Sequence, residues 1–286
     1  RSCGINFENE EDLEQIIDIL SPLKIAGLIP NAATIYNTVY EAALVSTKKQ
    51  WQEGDGALPN KVIRKIMKEL DLGFWNFRFA LYGPDMMMDA SWAAIKGAFS
   101  QIKGAKFFSK SFDKDTPIEN VRDKLQAGIP NLQEFGLLNW RGGGGHLDFA
   151  PISPSTGKDA VIQYELARDR MNEYGFDYLG GFAIGWREMH HLVAPIFNRS
   201  DVDEKKRAKE VFGHLINDAA EAGYGEYRTH LSFMDQVAST YDFNDNAMMR
   251  FSERLKDSID PNGIIAPGKQ GIWPKHLRAS KGENKS

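Results

Sequence analysis

Apolar residues along this chain recur at two spacings, three-to-four and two, and the switches between them outline its elements. Leu13, Ile16, Ile17 and Leu20 share one helical face. Asn9 stands ahead of them as a cap, and Glu10, Glu11 and Asp12 place negative charge where a helix N-terminus favours it. Pro22 is expected to end that helix. The pattern predicts further helices over residues 32–44 and 61–70, with a polar, glycine-containing loop over 51–59 between them. Ile5 and Phe7 read as an early strand. Trp75, Phe77, Phe79 and Leu81 alternate with Asn76, Arg78, Ala80 and Tyr82, the period of a strand with one buried face. Gly83 and Pro84 turn the chain into a helix over 86–101, and a short strand returns over 105–108. Met86, Met87 and Met88 read as gap-filling core.

The second half repeats the theme. A strand over 147–152 leads to a helix over 158–173, strands over 177–186 and 189–197, a long helix over 202–222 and an extended piece over 226–233. Strand, helix, strand, strand, helix, strand is the ferredoxin-like order. It predicts the α+β class: an antiparallel sheet with helices on one face. An amphipathic helix is expected over 245–258. Asp260, Pro261, Asn262 and Gly263 form a turn signal, and an apolar, glycine-punctuated stretch runs over 264–273. The end of the chain, 275–286, is a polar tail. The sequence carries no short internal repeat.

Charge narrows the function. A net charge of −4 gives the chain no electrostatic footprint for nucleic acid. The one local basic bias, at Lys275, His276, Arg278 and Lys281, reads as a solvated tail. No apolar run has the length of a membrane span, and the N-terminus lacks the layout of a signal peptide. With Cys3 as the sole cysteine no internal disulfide can form, which fits a reducing, cytoplasmic setting. The first residues enter a strand without an initiator Met, so the chain is expected to be one piece of a longer protein.

Three stretches can carry chemistry. Gly142, Gly143, Gly144 and Gly145 run straight into His146. Four glycines cost backbone entropy, which either a flexible surface loop or a close approach of backbone to a flat ligand would explain. Glu188, Met189, His190 and His191 invite a metal reading, but neighbouring histidines on a strand point to opposite faces, and no metal site is expected. Tyr227 beside Arg228 sets a phenol donor next to a fixed cation, a pair able to favour a bound phenolate. A structural ion pair among Glu226, Arg228 and Asp235 would explain the same residues. Phosphate-loop and hydrolase-elbow spacings are both missing from the sequence.

The segments GGGGHLDFAPISP, REMHHLVAPIFN, GYGEYRTHLSFMDQVASTYDFND and DPNGIIAPGKQGIWP, in this order, resemble the vanillyl-alcohol oxidase and eugenol oxidase family, and EEDLEQIIDILSPLKIAGLIPN looks like the start of that family's cap domain. The resemblance spans nearly the whole chain. It implies a cap (substrate) domain over 1–225 and a segment over 226–274 contributing to the FAD-binding domain, whose N-terminal part would lie upstream. It implies FAD bound covalently through His146, where related cytochrome-coupled methylhydroxylases carry tyrosine. It further implies a catalytic, phenol-anchoring pair in Tyr227 and Arg228. Asp148, Gly181 and His190 would line or border the substrate cavity, and Lys269 would touch the cofactor along with Arg228. The implied reaction takes hydride from the benzylic carbon of a para-substituted phenol, of the vanillyl-alcohol, eugenol or alkylphenol type, with O2 as the final acceptor. Water then adds to the quinone-methide-like product, or it loses a proton. The alternatives are a dehydrogenase feeding a cytochrome and an inactive fragment. The family also implies a homodimer or larger assembly.

Overall fold

The computed structural model describes residues 1–31, 33–113, 115 and 117–278. Ten strands and ten α-helices are named here in chain order. The strands are β1 (Ser2–Phe7), β2 (Ala33–Asn37), β3 (Trp75–Ala80), β4 (Lys106–Lys110), β5 (Gly144–His146), β6 (Pro151–Pro154), β7 (Gly180–Ile184), β8 (Glu188–Val193), β9 (Ile196–Asn198) and β10 (Gly225–Glu226). The helices are α1 (Leu13–Ile25), α2 (Thr38–Ala43), α3 (Asn60–Glu69), α4 (Asp85–Phe99), α5 (Val121–Gln126), α6 (Gly157–Glu173), α7 (Val202–Glu221), α8 (Met234–Ser239), α9 (Phe243–Ile259) and α10 (Lys275–Arg278).

Eight strands form one antiparallel sheet in the order β10-β6-β8-β7-β2-β3-β1-β4, while β5 and β9 pair separately. This is the α+β arrangement that the hydrophobic pattern predicts, and it occurs twice. The unit β1-α1-β2-β3-α4-β4 has the spatial order β2-β3-β1-β4, and β6-α6-β7-β8-α7-β10 has the matching order β7-β8-β6-β10. The two units join edge to edge where β2 pairs β7, from Ala33 opposite Ile184 to Tyr36 opposite Gly181. No short sequence repeat announces this because the units share connectivity and alternation, not residues.

Alternation divides the sheet into two faces. One cross-strand row runs Ile5, Phe77, Ile35, Phe182, His191. All five are fully buried, in a core closed by α1, α4, α6 and α7. The next row, Asn6, Asn76, Tyr36, Gly181, Leu192, lies on the opposite face. Each fully buried Phe or Ile on the covered face contributes about 1.5–3 kcal/mol from removal of apolar area. A smaller core of Val39, Ala42, Ile66, Leu137, Trp140 and Ile196 closes around α2 and α3.

Several expectations change. Pro22 lies inside α1 instead of ending it. Proline lacks the N–H that would bond one turn back, yet its own carbonyl still accepts from Ala26 N–H at 2.9 Å, so the last turn survives. The helix expected over 32–44 is a strand followed by a short helix; its first residue lies outside the described ones. Thr34, Ile35 and Tyr36 suit a strand, and the Asn37 side chain then caps α2 by accepting from Tyr40 N–H at 3.1 Å. Of the strand expected over 147–152 only 151 and 152 are extended, in β6; Phe149 makes an isolated bridge with Val193, and β5 lies just ahead of the expected start. The piece expected to be extended over 226–233 pairs only at Gly225 and Glu226 before turning helical. The helix expected over 245–258 starts two residues earlier, through left-handed Asn244, Asp245 and Asn246. Met86 and Met87 are exposed, and only Met88 packs against the core. Arg278 is held on α9 by Glu253 at 3.1 Å and by Asp257, so the basic cluster is not wholly a solvated tail. Lys281, with the rest of 279–286, lies outside the described residues.

Candidate active site

The glycine run is a built turn. Gly142 and Gly144 have φ of 82° and 63°, the left-handed region that glycine enters without penalty. A Cβ at Gly143 would lie 2.2 Å from Asn198 Cα, and one at Gly145 would lie 2.6 Å from the Phe197 ring. The four glycines therefore let β5 lie directly on β9. Beyond it, Leu147 N–H donates to Pro195 O at 3.2 Å and Phe149 N–H to Val193 O at 2.9 Å. The segment carrying His146 is laddered on both sides of the residue, which removes the flexible-loop reading.

His146, Asp148 and Arg228 line one cavity of about 260 Å³. They reach it from three places: the end of β5, the link to β6, and the turn after β10. His146 Nε2 stands 3.6 Å from Asp148 Oδ2 with both side chains partly open to solvent. Among the lining residues that sequence reasoning missed are Tyr36 and Tyr40. Their rings stack at 3.9 Å and 6°, across the junction of β2 and α2. Tyr40 OH also donates to Glu134 Oε1 at 3.3 Å. The available signal was Asn37: a cap there places residues 36 and 40 on the same side of the strand-to-helix corner.

Tyr227 lies beside both His190 and Arg228, and neither it nor His190 is among the cavity-lining residues. The Tyr227 and His190 rings are 4.6 Å apart, and the Arg228 guanidinium lies 5.5 Å from the Tyr227 ring centre. As the strand period requires, His190 and His191 separate: His190 joins Tyr227, whereas His191 is fully buried on the covered face. Neither belongs to a metal cluster, and no group of three or more potential ligands occurs among the described residues. Gly181 sits on the seam between the two units, where a Cβ would meet Ile35 O at 1.8 Å; it is not among the cavity-lining residues. Lys269 is exposed at the start of a 3-10 turn over Lys269–Gly271, away from that lining.

Electrostatics decide what Tyr227 and Arg228 can do. The structural ion pair is not formed. Glu226 accepts from Ala150 N–H at 3.3 Å, Asp235 accepts from Trp273 Nε1 at 2.7 Å, and Arg228 has no carboxylate within 4.0 Å among the described residues. Burial pushes the Glu226 carboxyl up to about 8, against the opposing pull of the Ala150 N–H, the nearby Thr229 side chain and the charge of Arg228. At neutral pH Glu226 is mostly protonated, which leaves Arg228 a cation uncompensated by its neighbour. A partly open cavity with a fixed cation, an imidazole and stacked aromatic rings suits a flat anionic aromatic molecule. Its ring-binding features also fit the redox end of a flavin, whereas no glycine-rich strand-to-helix turn of the dinucleotide type occurs among the described residues.

Comparisons with known proteins find relatives along nearly the whole chain. Residues 145–270 match the family model "FAD linked oxidases, C-terminal domain". The chain is 36% identical over 267 residues to the 4-cresol dehydrogenase [hydroxylating] flavoprotein subunit of Pseudomonas putida, covering 93% of this chain and 51% of that protein. The solved 4-ethylphenol oxidase of Gulosibacter chungangensis, in complex with isoeugenol, superposes with a TM-score of 0.91 at 37% identity, over 97% of this chain and 54% of that one. For p-cresol methylhydroxylase with substrate bound the TM-score is 0.89 at 35% identity, over 95% and 52%. The chain thus spans about half the length of these relatives.

Proposed function

We propose, from the match of residues 145–270 to the FAD linked oxidases, C-terminal domain, that this chain is the substrate-facing part of a flavoenzyme oxidising para-substituted phenols. The observation that carries the reading is the convergence of His146, Asp148 and Arg228 on one aromatic-lined cavity, in a fold shared with a 4-ethylphenol oxidase and a p-cresol methylhydroxylase. His146 is the covalent attachment point of FAD. Residues 1–225 form the substrate cap, and residues 226–274 complete the flavin domain with Lys269 turned towards it. A segment outside this chain holds the dinucleotide end.

Bound FAD supplies a two-electron acceptor for hydride from the benzylic carbon. The chain's own residues prepare the substrate for that loss. Arg228 holds the phenolate oxygen with a fixed charge, and the Tyr227 hydroxyl donates a second hydrogen bond. Both interactions strengthen the push of electrons through the ring. Protonated Glu226 keeps a competing anion away from Arg228. Asp148 and His190 border the ring, with Gly181 at the seam behind them.

Acid precipitation of the complete protein tests the attachment. A yellow pellet is expected, and His146→Ala should release the colour to the supernatant; colour retained by that variant would rule out His146. O2 is the proposed oxidant, as the oxidase relative suggests. A second reading takes a cytochrome as acceptor, and the name dehydrogenase on one relative favours an acceptor other than O2. Stopped-flow reoxidation separates the two: rapid reaction with air supports the oxidase, and slow reaction with air but fast reaction with a cytochrome supports the dehydrogenase.

A further inference from the structure

A carboxylate outside the cavity ties together the two strands that present His146. Arg141, immediately before the glycine run, donates to Glu204 Oε1 from Nε at 3.1 Å and from Nη2 at 2.8 Å. The other oxygen of the same carboxylate accepts from Asn198 N–H at 2.6 Å. Asn198 is the residue opposite Gly144 in the β5–β9 ladder. One side chain near the start of α7 therefore bonds to the entry of β5 and to the facing end of β9. Both partners are enclosed, with side-chain exposures of 4% for Arg141 and 9% for Glu204.

The rest of the surroundings fixes Arg141 and its neighbour. Arg141 also meets Asp55 and donates to Gly175 O at 3.3 Å, and it lies over the Phe176 ring. Trp140 Nε1 donates to the buried Asp177, whose charge is balanced by Lys48 at 2.8 Å. Trp140 is consequently anchored, and glycine freedom is confined to the four residues after Arg141. Without the Glu204 tie, the entry of β5 would be held to β9 only by the ladder itself and by Arg199, whose Nε donates to Gly143 O at 3.2 Å.

We propose that Glu204 is a positioning residue for flavin attachment: by joining Arg141 to the Asn198 backbone, it holds the β5–β9 ladder so that the His146 imidazole meets the flavin in a reactive position. This rests on the attachment reading above. Attachment forms a bond from an imidazole nitrogen to the flavin 8α carbon. The hydrogen leaving the imidazole and one leaving the methyl group, with the associated electron pair, reduce the flavin; O2 then removes both as hydrogen peroxide. Misplacement of the nucleophile by about 1 Å can slow such a step by two orders of magnitude without abolishing binding.

The test adds FAD to the complete protein prepared without flavin, and follows covalent attachment by flavin fluorescence on a denaturing gel. Glu204→Gln keeps the side chain's shape, but its amide nitrogen cannot accept, so either the Asn198 bond or the two Arg141 bonds are lost. The expected result is a fall in attachment rate of roughly tenfold or more, at a temperature where the variant is folded, with non-covalent FAD affinity changed less than about threefold. Exchange of the Leu147 amide, measured on the complete protein without flavin, should quicken. Glu210→Gln, which removes an exposed carboxylate from the same helix, should do neither. An unchanged rate in Glu204→Gln overturns the proposal, as does a fall shared equally by rate and FAD affinity. If His146→Ala itself retains attachment, the attachment reading falls and this inference with it. If His146→Ala abolishes attachment and Glu204→Gln does not slow it, this inference alone falls.

Discussion

The two ferredoxin-like units of the sheet have the same connectivity but do different things. In the unit from β1 to β4 the strands are joined for packing: Phe77, Phe79, Phe99 and Trp75 fill the covered face, and its contribution to the cavity is the Tyr36–Tyr40 stack at its edge. In the unit from β6 to β10, the segments before its first strand and after its last strand carry His146, Asp148 and Arg228. Those two strands are neighbours in this topology, so residues some eighty positions apart come to one place. Shared architecture supplies the rigid sheet, and the chemistry depends on what is attached to adjacent strand ends.

The sharpest way to break this contrast is to damage each unit and compare the losses. Phe77→Ala should cost about 3–5 kcal/mol of stability, through lost burial and a residual cavity, measured by denaturant unfolding. The protein that remains folded should attach flavin as before. Arg228→Ala should leave the unfolding midpoint nearly unmoved, since the guanidinium makes no ion pair among the described residues, yet lower kcat/KM for phenols by about 2–4 kcal/mol of transition-state stabilisation. Tyr227→Phe should act in the same direction by a smaller amount, because the cation remains. If Arg228→Ala instead unfolded the chain, the division between the units would fail.

A gentler test uses pH, through two buried groups shifted in opposite ways. His191 Nε2 meets Tyr178 OH at 2.7 Å, Nδ1 has no partner among the described residues, and burial lowers the imidazole to about 3. The unfolded chain then binds the extra proton first, so this group's contribution is complete above the ordinary histidine value near 6.5 and is lost as pH falls from there towards 3. Glu226 is raised from 4.5 to about 8, so the folded state is the one that holds the proton. Its contribution is lost as pH rises from 4.5 through 8. Unfolding curves should show stability falling on both sides; Glu226→Gln should flatten the alkaline side, and His191→Phe the acid side. In turnover, ionised Glu226 beside Arg228 should raise KM for phenols above about pH 8, an effect the glutamine variant should lack.

Much of the architecture was legible because alternation is strong where one face is buried: Trp75, Phe77 and Phe79 marked β3, and the same logic correctly separated His190 from His191. Reading failed where a short element depended on its partner. Residues 33–43 hold a strand and a helix in eleven positions, and only pairing with β3 and β7 makes the first part extended. The split between β5 and β6 is set by β9 and β8, which lie far along the chain. At the site, glycines leading into a histidine and a tyrosine beside an arginine stood out by chemistry alone. Tyr36, Tyr40 and Glu204 did not, because each matters through a neighbour remote in sequence. Glu204 in particular resembles any acid in the first turn of a helix until Arg141 and Asn198 are seen against it.

The central claim is that His146 carries the flavin on the rim of the cavity it shares with Arg228. Tryptic peptide mapping of the complete, denatured protein by mass spectrometry tests it most directly. The account predicts a flavin adduct on the peptide that begins after Arg141 and ends at Lys158, fragmenting to place the modification on the imidazole. An adduct on any other peptide, or an unmodified His146 peptide from protein that retains covalent flavin, would contradict it.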